Sequence, residues 1–292
     1  MMTNLDKTCN TGAPLAHTTS NPSTFSGTRR RNRLRQAGLR IVGAAVAAML
    51  PWAAFAEVSN DSMVGPGLRS RPAYDGSPSQ SLELVPVIRY VGQSWFVRST
   101  QGVLETGVRT ELASGLHAGA QLAYEAGRKV SDSEFLRNHQ MKDISGGASI
   151  GLHVEWDHFF GPVPITLLAR VRQNIDADQG AQADLRLSAG VFHGGPVNAG
   201  IFTQATWADA KSTGALYGIA PQRSAVTGLP AFQPGRGLLF TSFGLLWSVD
   251  LSPTWIVVGS LESRRLSGDA VQSPLVERSS NHYISAGVAY RF

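Results

Sequence analysis

Residues 144–156 read Ile-Ser-Gly-Gly-Ala-Ser-Ile-Gly-Leu-His-Val-Glu-Trp. Ile144, Gly146, Ala148, Ile150, Leu152, Val154 and Trp156 occupy one set of alternate positions, and Ser145, Gly147, Ser149, Gly151, His153 and Glu155 the other. A helix would mix the two sets around its circumference. A strand keeps them apart, because successive side chains point to opposite faces. One face suits an apolar medium and the other a polar one, over a length that fits a tilted strand crossing a bilayer.

The same period recurs along the chain. Thr166, Arg170, Arg172 and Asn174 oppose Ile165, Leu167, Ala169 and Val171, while Gln182, Asp184, Arg186 and Ser188 oppose Ala183, Leu185, Leu187, Ala189 and Val191. The alternation predicts strands over 81–91, 94–109 (broken near Gly102), 115–125, 143–157, 162–174, 181–193, 196–208, 237–249, 254–265 and 281–292. That is ten strands, or twelve if 94–109 is two and another lies in a loop. The long connections 126–142, 209–236 and 266–280 each follow an odd-numbered strand. Short ones around His158–Gly161, Gly194-Gly195 and Asp250–Pro253 follow even-numbered strands. The expected fold is all-β: a closed antiparallel transmembrane β-barrel of about 10–12 strands, with short periplasmic turns and long extracellular loops.

Aromatic placement agrees. Trp156, Trp247, Trp255, Tyr290 and Phe292 fall at strand ends on the periplasmic side, where Trp and Tyr gather at a membrane interface. The terminal stretch Ser285-Ala286-Gly287-Val288-Ala289-Tyr290-Arg291-Phe292 reads as the closing strand, expected to pair with the strand at 81–91. Gly287, Tyr290 and Phe292 are its candidate signal for the barrel-insertion machinery. A soluble β-sandwich with one wet face would alternate in the same way, but it does not account for the terminal Phe or the one-sided girdle.

The N-terminus belongs to export. Arg29–Arg33, Arg35 and Arg40 precede an uncharged run from Ile41 to Ala56, and Ala54-Phe55-Ala56 is a small-x-small cleavage site before Glu57. Residues 1–56 therefore read as an extension and a signal peptide that is removed, 57–80 as a periplasmic segment and 81–292 as the barrel. Seven of the 26 basic residues lie before Glu57, against one of the 21 acidic ones, so the mature chain is near neutral. Nucleic-acid binding loses its only support. The single cysteine, Cys9, is also in the leader.

No catalytic, metal or cofactor set emerges. The nearest to a constellation is His153, Glu155 and Asp157 on one lumenal face, opposite Arg170 and Arg172. A lumen of mixed charge needs such pairing to offset desolvation, and ion pairing is the preferred reading over general-base chemistry. His117, His139, His158, His193 and His282 show no metal-ligand spacing. Both signs recur around the wall at Glu83, Arg89, Glu125, Asp184, Arg186, Glu262, Arg264 and Arg291.

Several stretches resemble the MipA/OmpV family of outer-membrane proteins: Arg71–Gln80 (RPAYDGSPSQ), Trp207-Ala208-Asp209, Tyr217–Leu238 (YGIAPQRSAVTGLPAFQPGRGL), Ser267–Arg278 (SGDAVQSPLVER) and the terminal GVAYRF. The resemblance implies an outer-membrane barrel in contact with lipid and lipopolysaccharide. It implies a scaffold role, linking a murein lytic transglycosylase to a penicillin-binding protein, and no catalytic residues. Within the long loop, Tyr217, Gly218, Gly228, Leu229, Pro230 and Phe232 are candidate interaction residues. The function expected first is scaffold or surface-interaction protein. A narrow porin-like channel for small solutes comes second, and a barrel hydrolase a distant third.

Overall fold

Two-residue alternation becomes a closed wall in the computed structural model, which describes residues 62–292. Its strands are β1 (Met63–Pro72), β2 (Gln80–Val91), β3 (Trp95–Thr100), β4 (Val103–Ala113), β5 (Leu116–Glu125) and β6 (Gly147–Phe160). They continue as β7 (Val163–Asn174), β8 (Ala181–Gly194), β9 (Val197–Ala208), β10 (Gly237–Asp250), β11 (Trp255–Leu266) and β12 (Ser280–Arg291). Every strand pairs antiparallel with its sequence neighbours, and β12 closes on β1. Three short helices, α1 (Glu134–Asn138), α2 (Ala210–Tyr217) and α3 (Pro221–Thr227), lie in the connections. No helix among the described residues is long and apolar enough to cross a membrane. The leader and the cleavage residues Ala54, Ala56 and Glu57 lie outside the described residues.

The outward face carries the aliphatic band. Ile150, Leu152, Val154, Leu185, Leu187, Phe243 and Ile284 are all exposed, whereas their polar neighbours Ser149, His153, Asp184, Arg186, Ser242 and Tyr283 are buried in the lumen. This inversion of the soluble pattern is what lipid solvation selects. At the end with the short turns, Trp255 packs edge-on against Tyr290 with ring centroids 5.5 Å apart, Tyr90 stacks on Trp95 at 4.3 Å, and Trp156 stacks on His158 at 5.0 Å. The protein is an outer-membrane barrel with its short turns in the periplasm and its long loops outside.

One sequence expectation, the start of the barrel, needs correction. The barrel begins at Met63, so part of the segment read as periplasmic is strand β1. Its register runs Met63 to Arg89 and Pro72 to Gln80 on β2, and Met63 to Arg291 and Ser70 to Ile284 on β12. The closing strand therefore pairs with β1, not with the strand at 81–91. Gly65, Pro66, Gly67 and Pro72 hid this strand, because Gly and Pro are depleted in strands. Pro66 has a physical place there: the β1–β12 ladder skips Gly65 and Pro66, where a missing N–H costs nothing. The break expected near Gly102 is present. The run at 94–109 breaks at Gln101 and Gly102, whose positive φ values of 53° and 83° make a two-residue hairpin turn. Adding one strand at the front and dividing another yields twelve and preserves the parity of the long loops.

The candidate assembly residues lie on the closing strand and just beyond it. A side chain at Gly287 would stand 2.6 Å from Val87 Cγ2 and 2.9 Å from the Pro66 carbonyl, so only glycine lets β12, β1 and β2 approach this closely. Tyr290 is on the outward face, and the Phe292 N–H donates to the Ser62 carbonyl at 3.1 Å, just beyond the strand's end.

Candidate functional site

Side chains from six strands fill one side of the lumen with an ion ladder of strictly alternating sign. It runs Arg109, Glu155, Arg98, Glu105, Arg170, Asp184, Arg172, Glu125. Arg98 Nε donates to Glu105 at 3.0 Å and its Nη1 to Glu155 at 3.1 Å. Arg170 bonds Glu105 and approaches Asp184 at 3.2 Å, while Arg172 bonds Glu125 and reaches Asp184 at 3.0 Å. Thr206 adds a 2.7 Å bond to Asp184. Glu105 is completely buried. Burying a charge is costly unless it is paired and hydrogen-bonded, and alternation gives each interior member of the ladder an opposite charge on both sides.

The His153 group is therefore not assembled as the sequence suggested. Glu155 pairs with Arg98 and with Arg109 at 3.6 Å, and Asp157 accepts from Thr166 Oγ1 at 2.6 Å. His153 packs edge-on against Phe96 at 5.3 Å, and its Nδ1 has no hydrogen-bond partner among the described residues. Arg170 and Arg172 take their carboxylates from β4, β5 and β8. Alternation placed these residues on the lumenal face, but it carried no information about pairing across the lumen. No group of His, Cys, Asp and Glu suited to a metal ion occurs among the described residues.

Four connections, β1–β2, β5–β6, β9–β10 and β11–β12, lock together at the extracellular mouth. In the β1–β2 loop, Tyr74 donates its hydroxyl to the Leu275 carbonyl at 3.0 Å and lies 3.1 Å from Glu277. Asp75 reaches into the lumen, where it accepts from Tyr283 and from Arg264 at 2.8 Å. Gly76 N–H donates to Asn281 Oδ1 at 2.8 Å, and Asn281 donates to the Ser77 carbonyl at 2.7 Å. In the β9–β10 connection, α2 starts on Asp209, whose carboxylate accepts the Ser212 N–H at 2.7 Å as an N-cap. The Tyr217 carbonyl at its end accepts from Ser273 at 2.7 Å, and Arg128 donates to the Leu216 carbonyl at 3.0 Å. Burial, and then the Glu277 carboxylate, hold the Tyr74 phenol above its ordinary range, with Arg128 opposing. Burial likewise raises Tyr217 and lowers Arg128. A cavity of about 260 Å³ remains beneath the cap.

The sequence model of the family described as MltA-interacting protein MipA matches residues 64–292. The chain belongs to this family. The MltA-interacting protein of Escherichia coli (strain K12) is 26% identical over 222 residues, which is 71% of this chain and 81% of that protein; that of Shigella flexneri matches equally. Among solved structures, an outer-membrane channel from Pseudomonas putida F1 covers 83% of this chain and all of its own at 10% identity and TM-score 0.46. The NanC porin covers 78% of this chain and all of its own at 9% identity and TM-score 0.43.

Three of the stretches that carried the resemblance to the MipA family, Arg71–Gln80, Tyr217–Leu238 and Ser267–Arg278, meet in the cap. This places RPAYDGSPSQ at the extracellular end rather than in the periplasm. Within the long loop, Tyr217 is buried and structural, and Ile219 pairs with Phe232 as an isolated bridge. Gly228 caps α3 in the left-handed region at φ 68°. Gly218, Leu229 and Phe232 are half-buried, so of the six candidate interaction residues Gly228 and Pro230 are the ones exposed. Asp75 and Asn281 were missed; the short interval between Tyr74 and Gly76 was the available signal for the first.

Proposed function

We infer that the protein works through its surfaces, as an outer-membrane anchor that holds a murein lytic transglycosylase at its periplasmic face and through it a penicillin-binding synthase. The observation that carries this reading is the occupied barrel. Eight alternating charges fill one side of the lumen and four interlocked connections meet at its mouth, so the charged groups of the ladder are engaged with one another. The names of the curated relatives point to the same class of partner. On this reading the long loop 209–236 is the surface toward lipopolysaccharide and the exterior, and the periplasmic enzyme meets the short turns. These include Gly161-Pro162, Gly195-Pro196 and Leu251–Thr254.

Photo-reactive residues placed singly at Gly195, Leu251, Gly228 and Pro230 in intact cells test this. Adducts containing a murein enzyme are expected from Gly195 or Leu251 and not from Gly228 or Pro230. Adducts with murein enzymes absent from every periplasmic turn would refute the anchor role.

A further inference from the structure

The cavity of about 260 Å³ beneath the cap is lined by charges of both signs, and pairing accounts for all of them but one. Arg69 and Arg71 bind Glu83 at 3.4 and 2.8 Å. Arg264 binds Asp75 at 2.8 Å and Glu262 at 3.2 Å. Arg170 and Arg172 belong to the ladder, held by Glu105, Asp184 and Glu125. Arg128 is the exception. Its Nη1 donates to the Leu216 carbonyl at 3.0 Å, its guanidinium lies 5.7 Å from the centre of the Tyr74 ring, and its Nε has no hydrogen-bond partner. No carboxylate among the described residues pairs with it. Asp143 of the same connection is exposed and accepts the Val130 N–H at 2.7 Å.

Arg128 is nevertheless only 9% exposed. Its backbone exchanges hydrogen bonds with Ile144 at 2.9 Å in both directions, and its head is tied to the end of α2, so the cap holds the cation over the cavity. A buried charge is costly unless it is paired, and here the chain supplies no counter-charge. The missing charge is a single one, because Asp75, Glu125 and Asp184 on the same wall would repel a second. That favours a carboxylate over a phosphate ester, which carries nearly two charges at neutral pH. A planar carboxylate also matches a guanidinium in shape. The wall has further unmet polar atoms: Gln204 Oε1 is a buried acceptor and Gln101 Nε2 a buried donor, each without a partner. A hydroxyl group can serve either.

We propose that the cavity binds a small hydroxylated monocarboxylate of the sugar-acid class, with its carboxylate on Arg128 and its hydroxyls toward Gln101 and Gln204. The entry side is the β3–β4 turn, Gln101-Gly102, which borders the cavity and is the shortest of the extracellular connections. The site is separate from the periplasmic turns of the anchor role, so either can fail alone.

Isothermal titration of the protein in detergent micelles tests this, with D-gluconate and D-glucuronate as probes beside D-glucose, glucose 6-phosphate and acetate. At least one of the two acids is expected to bind, with glucose and glucose 6-phosphate weaker by about tenfold or more. Arg128→Gln should weaken the acid by about tenfold or more, because a hydrogen bond to a charged group is lost, while heat-modifiable mobility is kept. Bound acid should also slow hydrogen exchange in peptides covering 126–130 and 214–218. Selectivity of the wild-type protein reads the proposal even where the variant does not fold. Failure of both acids to bind, or glucose binding equally well, would overturn the site. Acetate binding as tightly as the sugar acids would mean an adventitious ion only and overturn the hydroxylated ligand. Binding unchanged in Arg128→Gln would overturn the role of Arg128.

Discussion

Glu105 is the sharpest place to perturb the lumen. It is fully buried between Arg98 and Arg170, each of which keeps one other carboxylate, Glu155 or Asp184. Glu105→Gln preserves shape and an acceptor oxygen but removes the charge that two buried guanidinium groups share. Removing one partner of a buried pair costs about 3–5 kcal/mol, and the surviving carboxylates place this change at the lower end, about 3 kcal/mol. A loss of that size is more than a hundredfold in the folded-to-unfolded ratio. Replacing the whole triad, Arg98→Met with Glu105→Leu and Arg170→Met, should cost far less than the single change, because no buried charge in it is left uncompensated. Denaturant unfolding in detergent micelles, followed by tryptophan fluorescence and heat-modifiable mobility, reads both. A Glu105→Gln penalty below about 1 kcal/mol, the range of exposed pairs, would mean that water screens the ladder and that the lumen is wet. The occupied-lumen reasoning would then fail.

Changing Phe292 and Tyr290 together to Ser should lower the yield of inserted, heat-modifiable barrel in outer-membrane fractions, because the closing strand loses its girdle rings and its terminal signal; unchanged yield would refute this. Tyr74 and Tyr217 stay protonated in the folded cap. Their stabilisation is complete below the ordinary tyrosine value of 10.0 and is lost as pH rises toward their folded values. Ultraviolet titration should show these phenols ionising late, with cap opening by hydrogen exchange only at strongly alkaline pH. N-terminal sequencing of the exported protein should begin at Glu57, and a start upstream of Arg40 would remove the signal-peptide reading.

Strand existence was legible because lipid on one side and polar groups on the other enforce a period of two, and that period survives in sequence. β6 through β12 match the expected ranges within a few residues for this reason. β1 was illegible because close approach at the seam requires Gly65 and Gly67, and a side chain at Gly65 would meet the Val288 carbonyl at 2.0 Å. The residues that permit closure are those that erase the strand pattern. The lumenal positions of His153, Glu155, Arg170 and Arg172 followed from parity, but their partners did not. Glu105 and Glu125 are 65 and 47 residues away from the arginines they bind, and that depends on how strands curve around the lumen. The cap was legible only as separate stretches. Nothing in Tyr74–Ser77 announces that it will meet Leu275, Glu277 and Asn281, because loop-to-loop contacts carry no periodicity.

The central claim, a barrel whose lumen is occupied rather than conducting, is tested most directly by single-channel recording of the refolded protein in planar bilayers. The expected trace is small or absent conductance, unchanged in ion selectivity when Asp184 is replaced by Asn in a variant that still shows heat-modifiable mobility. A large, steady wild-type conductance whose selectivity moves when that charge is removed would contradict the account and make the protein a channel.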